Sequence, residues 1–103
     1  MALKKWAYVY LSPGFEPAVN TTRSRSETCE FIAVGLDFAR KADVVDVARN
    51  LRAEGVQMIE LCGGFGPLWI ARVSEALGHA IPVGSVAYGP EARRPMLEIL
   101  DQL

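Results

Sequence analysis

Basic residues are not in excess in this chain. Its 103 residues include 11 lysines and arginines against 12 aspartates and glutamates, which gives a formal net charge of −1. Domains that bind nucleic acid usually carry a basic face that meets the phosphates. The charge balance therefore argues against nucleic acid as a partner.

Thiols and imidazoles are scarce, and they are badly spaced for a metal. The only histidine is His79, and the two cysteines, Cys29 and Cys62, form no CxxC pair and no ligand spacing with it. We therefore expect no metal site. Two unpaired thiols also indicate a cytoplasmic protein.

Long apolar runs are absent as well. No stretch approaches the ~20 residues that span a bilayer, and the start of the chain lacks the layout of a signal peptide. Half of the residues are apolar and 22% are charged, which is typical of a packed globule. We expect no membrane partner and one domain over residues 1–103.

What the chain does contain is a series of strand-like apolar runs alternating with helical patterns. Strands are predicted at 6–11, 31–36, 56–61 and 83–88. Helices are predicted after the second, third and fourth strands, with Pro67 at the first position of the middle helix. The order β-β-α-β-α-β-α predicts an α/β fold with a small, open, mostly parallel four-stranded sheet and helices packed on its faces.

The segment from Ser12 to Thr28 has no helical periodicity and is rich in serine, threonine, proline and arginine. We predict an irregular link, and links of this length are usually functional or mobile. Arg23 and Arg25 could close over an anionic ligand, because the guanidinium fork fits carboxylate or phosphate. The alternative is a solvated polar loop.

Three loops should meet at one edge of this sheet. If the first, third and fourth strands are parallel, their carboxyl ends deliver residues 12–15, 62–67 and 88–91 to the same rim. Each loop combines an aromatic ring with glycine and proline, so Phe15 and Tyr88 could form walls around a small ligand. Ordinary turn chemistry at three strand ends is the alternative.

The most informative segment is ELCGGFGP at residues 60–67. Gly63, Gly64, Phe65 and Gly66 lead into a predicted helix, whose unpaired N–H groups favour an anion. The pattern matches neither the dinucleotide fingerprint nor a P-loop, so no nucleotide or other cofactor is predicted. A tight turn that binds nothing is the alternative.

Glu60 and Cys62 stand two residues apart and therefore on the same side of the strand. Glu60 could act as a general base, or it could pair structurally with an arginine such as Arg23 or Arg25. Cys62 could act as a nucleophile near a helix N-terminus, or it could be a small buried residue.

Together with the runs KWAYVY, SPGF, PVG and YGPE, the ELCGGFGP segment resembles a family of bacterial proteins of similar length and unknown function. The resemblance spans nearly the whole chain. It implies a small soluble domain, and it supplies no activity, cofactor or catalytic residue.

These patterns support two hypotheses about function. In the first, the rim binds a small anionic metabolite, with isomerase or lyase turnover as its catalytic form. Glu60 would then be the acid or base, Cys62 the nucleophile or second acid or base, and the amides of residues 63–66 the anion site. In the second, the chain is a non-catalytic oligomeric module. Two open sheet edges and a high apolar content predict a homo-oligomer in either case.

Overall fold

The computed structural model describes residues 2–101. The strands within this range are β1 (Lys5–Leu11), β2 (Thr21–Arg25), β3 (Glu30–Leu36), β4 (Ile59–Leu61) and β5 (Val83–Ser85). The helices are α1 (Val44–Ala53), α2 (Gly66–Ala76) and α3 (Arg93–Leu100), with short 3-10 turns at Phe38–Asp43 and Pro90–Ala92. No helix in residues 2–101 is long and apolar enough to cross a membrane.

The strands form one sheet in the order β2-β3-β1-β4-β5. β3, β1, β4 and β5 are parallel, and β2 runs antiparallel to β3. The predicted α/β class and mostly parallel sheet are confirmed. The predicted count of four strands is wrong, because part of the expected irregular link is β2.

β2 is missed by sequence patterns for a physical reason. Its sequence, TTRSR, has no apolar alternation, because the strand lies at the edge of the sheet and its last four residues are exposed. It is held by pairing with β3, where Thr21 lies opposite Val34 and Arg25 lies opposite Glu30. Those partners come later in the chain, so nothing local marks the strand.

Both α1 and α2 pack on the same face of the sheet. The buried residues of β1 and β3 alternate along each strand, which places them on one side. They form a single core with the inward residues of the two helices: Ala7, Val9, Leu11, Ile32, Val34, Leu36, Val44, Ala48, Leu51, Val73 and Leu77. We expected helices on both faces of the sheet, but α1 and α2 lie on the same face.

The opposite side of the sheet is called here the open face. Trp6, Tyr8, Tyr10 and Phe31 occupy the positions between the buried ones, and all four are half-buried. The rings of Trp6 and Phe31 lie 4.5 Å apart between centroids, and those of Tyr8 and Tyr10 lie 6.0 Å apart. These rings shield one another, since neither α1 nor α2 lies on that side.

The start of α2 differs in detail from the prediction. Gly66, with φ of 76°, is the first helical residue, and Pro67 is the second rather than the first. Positive φ is the conformation that glycine adopts without steric cost, so Gly66 fits this position. At the other end of the chain, α3 has no buried side chain.

Candidate functional site

The strand order creates a crevice between the ends of β1 and β4. These strands are neighbours, yet the chain leaves β1 towards β3 on one side and leaves β4 towards β5 on the other. Open α/β sheets bind ligands outside the carboxyl ends of the strands at such a switch point. The loops after β1 and β4 are therefore where a site is expected.

Cys62 sits directly in this crevice. The backbone N–H of Leu11, at the end of β1, donates a hydrogen bond to the Cys62 sulfur over 3.3 Å. The N–H of Cys62 donates to the carbonyl of Val9 over 2.9 Å. The side chain is half-buried, and the thiol is free rather than part of a disulfide. Cys62 thus joins the ends of the two strands at the switch point.

Gly63 brings the loop after β5 against the loop after β4. A Cβ atom at Gly63 would lie 2.9 Å from Cε2 of Tyr88 and 3.1 Å from the carbonyl oxygen of Val86. The N–H of Val86 donates to the carbonyl of Leu61 over 3.1 Å. Only glycine allows this close approach, and Tyr88 consequently lies over the turn that follows Cys62.

Gly64 makes a similar contact with the end of β1. A Cβ atom there would lie 3.2 Å from Cδ1 of Leu11 and 3.6 Å from the sulfur of Cys62. Among residues 2–101, the N–H groups of Gly63 and Gly64 donate no backbone hydrogen bond. The end of β1 and the loop after β5 therefore both meet the turn after β4 at two glycines, whose N–H groups donate no backbone hydrogen bond within residues 2–101.

Phe65 and Gly66 have other roles. The Phe65 side chain is 4% exposed and belongs to the core, while its N–H donates to the carbonyl of Cys62 over 3.1 Å. Gly66 begins α2 with positive φ. The structure thus brings Gly63 and Gly64 to the rim and directs the Phe65 ring away from it.

Glu60 lies beside Tyr8 in the sheet. The two residues are partners in the β1–β4 register, and both point to the open face. Burial raises the pKa of Tyr8, and the charges that Cys62, Tyr88 and Glu60 carry when ionised raise it further. Three other titratable side chains therefore lie close enough to Tyr8 to raise its pKa.

Tyr8 was not selected from the sequence, where it looked like one more apolar strand residue. The period-2 alternation of β1 could have placed it on the face of Glu60, but the register that brings them together is a tertiary feature.

Arg23 and Arg25 lie at the opposite edge of the sheet. Arg25 is the register partner of Glu30, which in turn lies opposite Lys5 at the start of β1. The structure therefore does not bring these arginines to the rim, nor do they pair with Glu60.

Their guanidinium groups bind carboxylates of the chain itself. Nε of Arg25 lies 2.8 Å from Oε2 of Glu30, and NH2 of Arg23 donates to Oε1 of Glu54 over 2.8 Å. The hydrogen bond from Arg25 and the nearby Lys5 lower the pKa of Glu30. The Arg23 hydrogen bonds lower the pKa of Glu54 to about 2. This cluster ties β2 to β3 and to the end of α1.

Phe15 and Tyr88 line two different cavities. Phe15 packs over Gly35 and meets Tyr10 edge-to-face, with 5.9 Å between the ring centroids. It lines a cavity of about 630 Å³ that Asp37, Ala39 and Arg40 also line. Asp37 closes this loop by accepting hydrogen bonds from the N–H groups of Gly14 and Ala39, which lower its pKa. The predicted single rim is thus divided in two.

Tyr88 lines an open groove of about 430 Å³ between the Gly63–Gly64 turn and α3. Its far wall is formed by Arg93, Met96, Leu97 and Leu100. We call it the α3 groove. None of these four was selected from the sequence, because a helical pattern does not reveal what the helix faces.

Metal ligands are not gathered anywhere in residues 2–101, where no group of three or more histidine, cysteine or acidic side chains could hold an ion. Cys29 and Cys62 both remain free.

Comparison with known proteins is limited to a family of unknown function. No curated protein and no solved structure matches the chain. The model of the family DUF6506 matches residues 4–101. The chain belongs to DUF6506, a family of unknown function.

Proposed function

We propose that the protein binds a small anionic metabolite at the switch point, between the loops that follow β1, β4 and β5. The observation that supports this most directly is that the end of β1 and the loop after β5 meet at Gly63 and Gly64, whose amides have no backbone acceptor within residues 2–101. Unpaired N–H groups next to a helix N-terminus favour negative charge.

The surroundings of the two amides are consistent with an anion. The carbonyl of Cys62 accepts the Phe65 N–H over 3.1 Å and lies 3.5 Å from Oγ of Ser85, so it has donors other than the two glycine amides. Glu60, the carboxylate of β4, stands two residues before Cys62 and lies beside Tyr8 in the sheet. A ligand carboxylate or phosphate at the amides would meet two donors, and the acidic group nearest the same groove is the Glu91 carboxylate, which lies against Gly89.

A more specific version of this proposal is that the bound ligand is also turned over. Glu60 lies in β4 and Cys62 is the first residue after that strand, with Tyr8 beside Glu60. In an isomerase or lyase reaction, Glu60 would remove a proton from a carbon next to the ligand's carbonyl. Cys62 would serve as nucleophile or second acid or base, and the amides would stabilise the developing oxyanion.

The proposed site is tested by comparing how fast the two thiols react with and without an anion. Small carboxylates and phosphates are screened for an increase in melting temperature, and alkylation of Cys62 is followed by mass spectrometry with Cys29 as the internal reference. We expect a stabilising anion to slow alkylation of Cys62 and to leave Cys29 unchanged. If no anion stabilises the protein, or if both thiols are protected equally, this function is wrong.

A second candidate is the non-catalytic oligomeric module, and the open face favours it. Four half-buried aromatic rings cover the side of the sheet that α1 and α2 leave free. Exposed apolar faces of this kind usually contact another surface. We propose a homo-oligomer in which this face meets a second copy.

Replacing Ala33, which lies between Tyr8 and Thr22 on the open face, tests the oligomer. Ala33→Arg should convert the oligomer to a monomer in light scattering, because a charge would be buried at the interface. Ala71→Arg on the exposed side of α2 is the matched control and should change nothing. A wild-type monomer at high concentration would exclude the interface.

The cellular setting that we propose is the cytoplasm. Both thiols are free, and thiols stay reduced there. A disulfide between copies in the protein purified from its own cells would contradict this location.

A further inference from the structure

The α3 groove has two walls of different chemistry. One wall is the Gly63–Gly64 turn with the ring of Tyr88 beside it, and the other is the side of α3 that carries Met96, Leu97 and Leu100. At about 430 Å³, the groove falls within the ~300–1,000 Å³ range of small-molecule sites. The two glycines with unpaired amides and an apolar wall therefore line the same space.

Arg93 adds a positive charge to the groove. It lines the cavity and makes no ion pair within residues 2–101. Arg52, Arg72 and Arg94 also make no ion pair there, and of these three only Arg94 lacks a backbone carbonyl or ring partner within residues 2–101. The other arginines contact a carboxylate, a backbone carbonyl or an aromatic ring. A cation left unpaired in a cavity beside amide donors suits an anionic group of a ligand.

The apolar wall is not used by the protein's own core. No side chain of α3 is buried, and Leu97 is 59% exposed. An apolar chain lying between α3 and the glycine turn would remove that surface from water. None of the core residues belongs to α3.

We infer that the ligand is a carboxylate that carries an unbranched apolar chain. Its carboxylate would bind between the Gly63–Gly64 amides and Arg93, and its chain would lie along Met96, Leu97 and Leu100. This inference rests on the proposed anion site, which it extends by naming the chemical class of the ligand.

The chain-length dependence of binding tests the apolar wall. Dissociation constants are measured by calorimetry for acetate, butanoate, hexanoate and octanoate, with octylammonium as the probe of opposite charge. Each added methylene should tighten binding about twofold to fourfold, because burial of a full methylene corresponds to roughly fourfold. Octylammonium should bind at least tenfold more weakly than octanoate.

Two pairs of variants locate the ligand. Leu97→Ser should flatten the dependence on chain length, whereas Ile99→Ser, on the same helix but outside the groove and 72% exposed, should preserve it. Arg93→Gln should weaken every carboxylate about tenfold or more, and Arg94→Gln should have little effect. None of the four side chains is buried, so all four variants should fold.

The outcomes separate this inference from the anion site. If acetate and phosphate bind and protect Cys62 but octanoate binds no tighter than acetate, the ligand class is wrong and the anion site stands. Equal effects within either pair of variants, or equal binding of octylammonium, would also overturn the ligand class. If no anion binds, both proposals fail.

Discussion

The sulfur of Cys62 accepts a hydrogen bond from the backbone N–H of Leu11 over 3.3 Å. This bond crosses from β4 to β1 where the two strands end, at the point where the chain reverses its direction across the sheet. A side chain takes the place of a ladder partner there. The residue that looked reactive in the sequence is therefore also a structural link, and the two roles can be separated by substitution.

Replacing Cys62 should reveal this link. Cys62→Ala leaves the Leu11 N–H without its acceptor in a partly buried position, so we expect a loss of about 1 kcal/mol in the free energy of unfolding. Cys62→Ser keeps an acceptor and should lose less than half as much. Urea unfolding of both variants measures the difference, with Cys29→Ala as the control. Equal losses for alanine and serine would show that the hydrogen bond contributes nothing.

The close packing at Gly63 predicts a second effect. Gly63→Ala would push a methyl group into the Tyr88 ring and the Val86 carbonyl, so we expect a loss of about 1–3 kcal/mol in unfolding free energy. Gly84→Ala is the matched control. Gly84 is the β5 partner of Glu60 in β4, and no atom lies within 4 Å of the position that its Cβ would take.

Thermal or urea unfolding compares the two variants. Adding Tyr88→Ala to Gly63→Ala should recover part of the loss, since one of the two clashes disappears. If Gly63→Ala were as stable as Gly84→Ala, the convergence of these two loops would be wrong.

The arginine–glutamate cluster at the other edge predicts a pH dependence of stability. In the folded protein the pKa of Glu54 is about 2, against an ordinary value of 4.5. Because the folded pKa is the lower one, the stabilisation is complete above pH 4.5 and is lost as the pH falls towards 2. The lowered pKa of Glu30 acts in the same direction.

Arg23→Gln removes the main cause of the lowered Glu54 pKa. Its urea midpoint should be lower than that of the wild type at pH 7, and the difference should shrink as Glu54 becomes protonated. Arg49→Gln, whose contact with Asp46 is exposed and 3.5 Å long, should change little at either pH. A difference for Arg23→Gln that is the same at neutral and acidic pH would contradict the ion pair.

The surroundings of Tyr8 predict that its phenol ionises at a higher pH than an ordinary tyrosine. The pKa of Tyr8 is raised by burial and by the charges of Cys62, Tyr88 and Glu60. Subtracting the ultraviolet titration of Tyr8→Phe from that of the wild type isolates the Tyr8 transition. That transition should lie above pH 10 in the wild type and move down in Glu60→Gln, since removal of a negative neighbour favours the phenolate. No movement in Glu60→Gln would place Glu60 too far from Tyr8 to matter.

The sequence predicts those parts of the fold whose signals are local. The apolar runs of β1 and β3 and the helical spacing of Val44, Ala48 and Leu51 mark elements that bury one face, and the structure contains them. β2 has no such signal, because its polar residues are specified by Glu30 and Glu54 through pairing. The sequence of a polar strand at an exposed edge therefore resembles that of a loop.

The candidate site divides in the same way. Gly63 and Gly64 follow a strand and precede a helix, so the local sequence is enough to predict their position at the rim. The neighbours that give the site its character are not, since Tyr8 reaches Glu60 through strand register and Arg93 faces the glycines through the placement of α3. Phe65 and Arg25 were selected by residue type, and tertiary packing directs them elsewhere.

The central claim is that an anion binds at the Gly63–Gly64 turn. The most direct test is a titration of the ¹⁵N-labelled protein with hexanoate, followed by amide chemical shifts. The account predicts saturable shifts of the Gly63 and Gly64 amides with little change at Gly14, which lines the cavity beside Phe15. Shifts centred on Gly14 and Asp37, or no saturable shift at the two glycines, would contradict it.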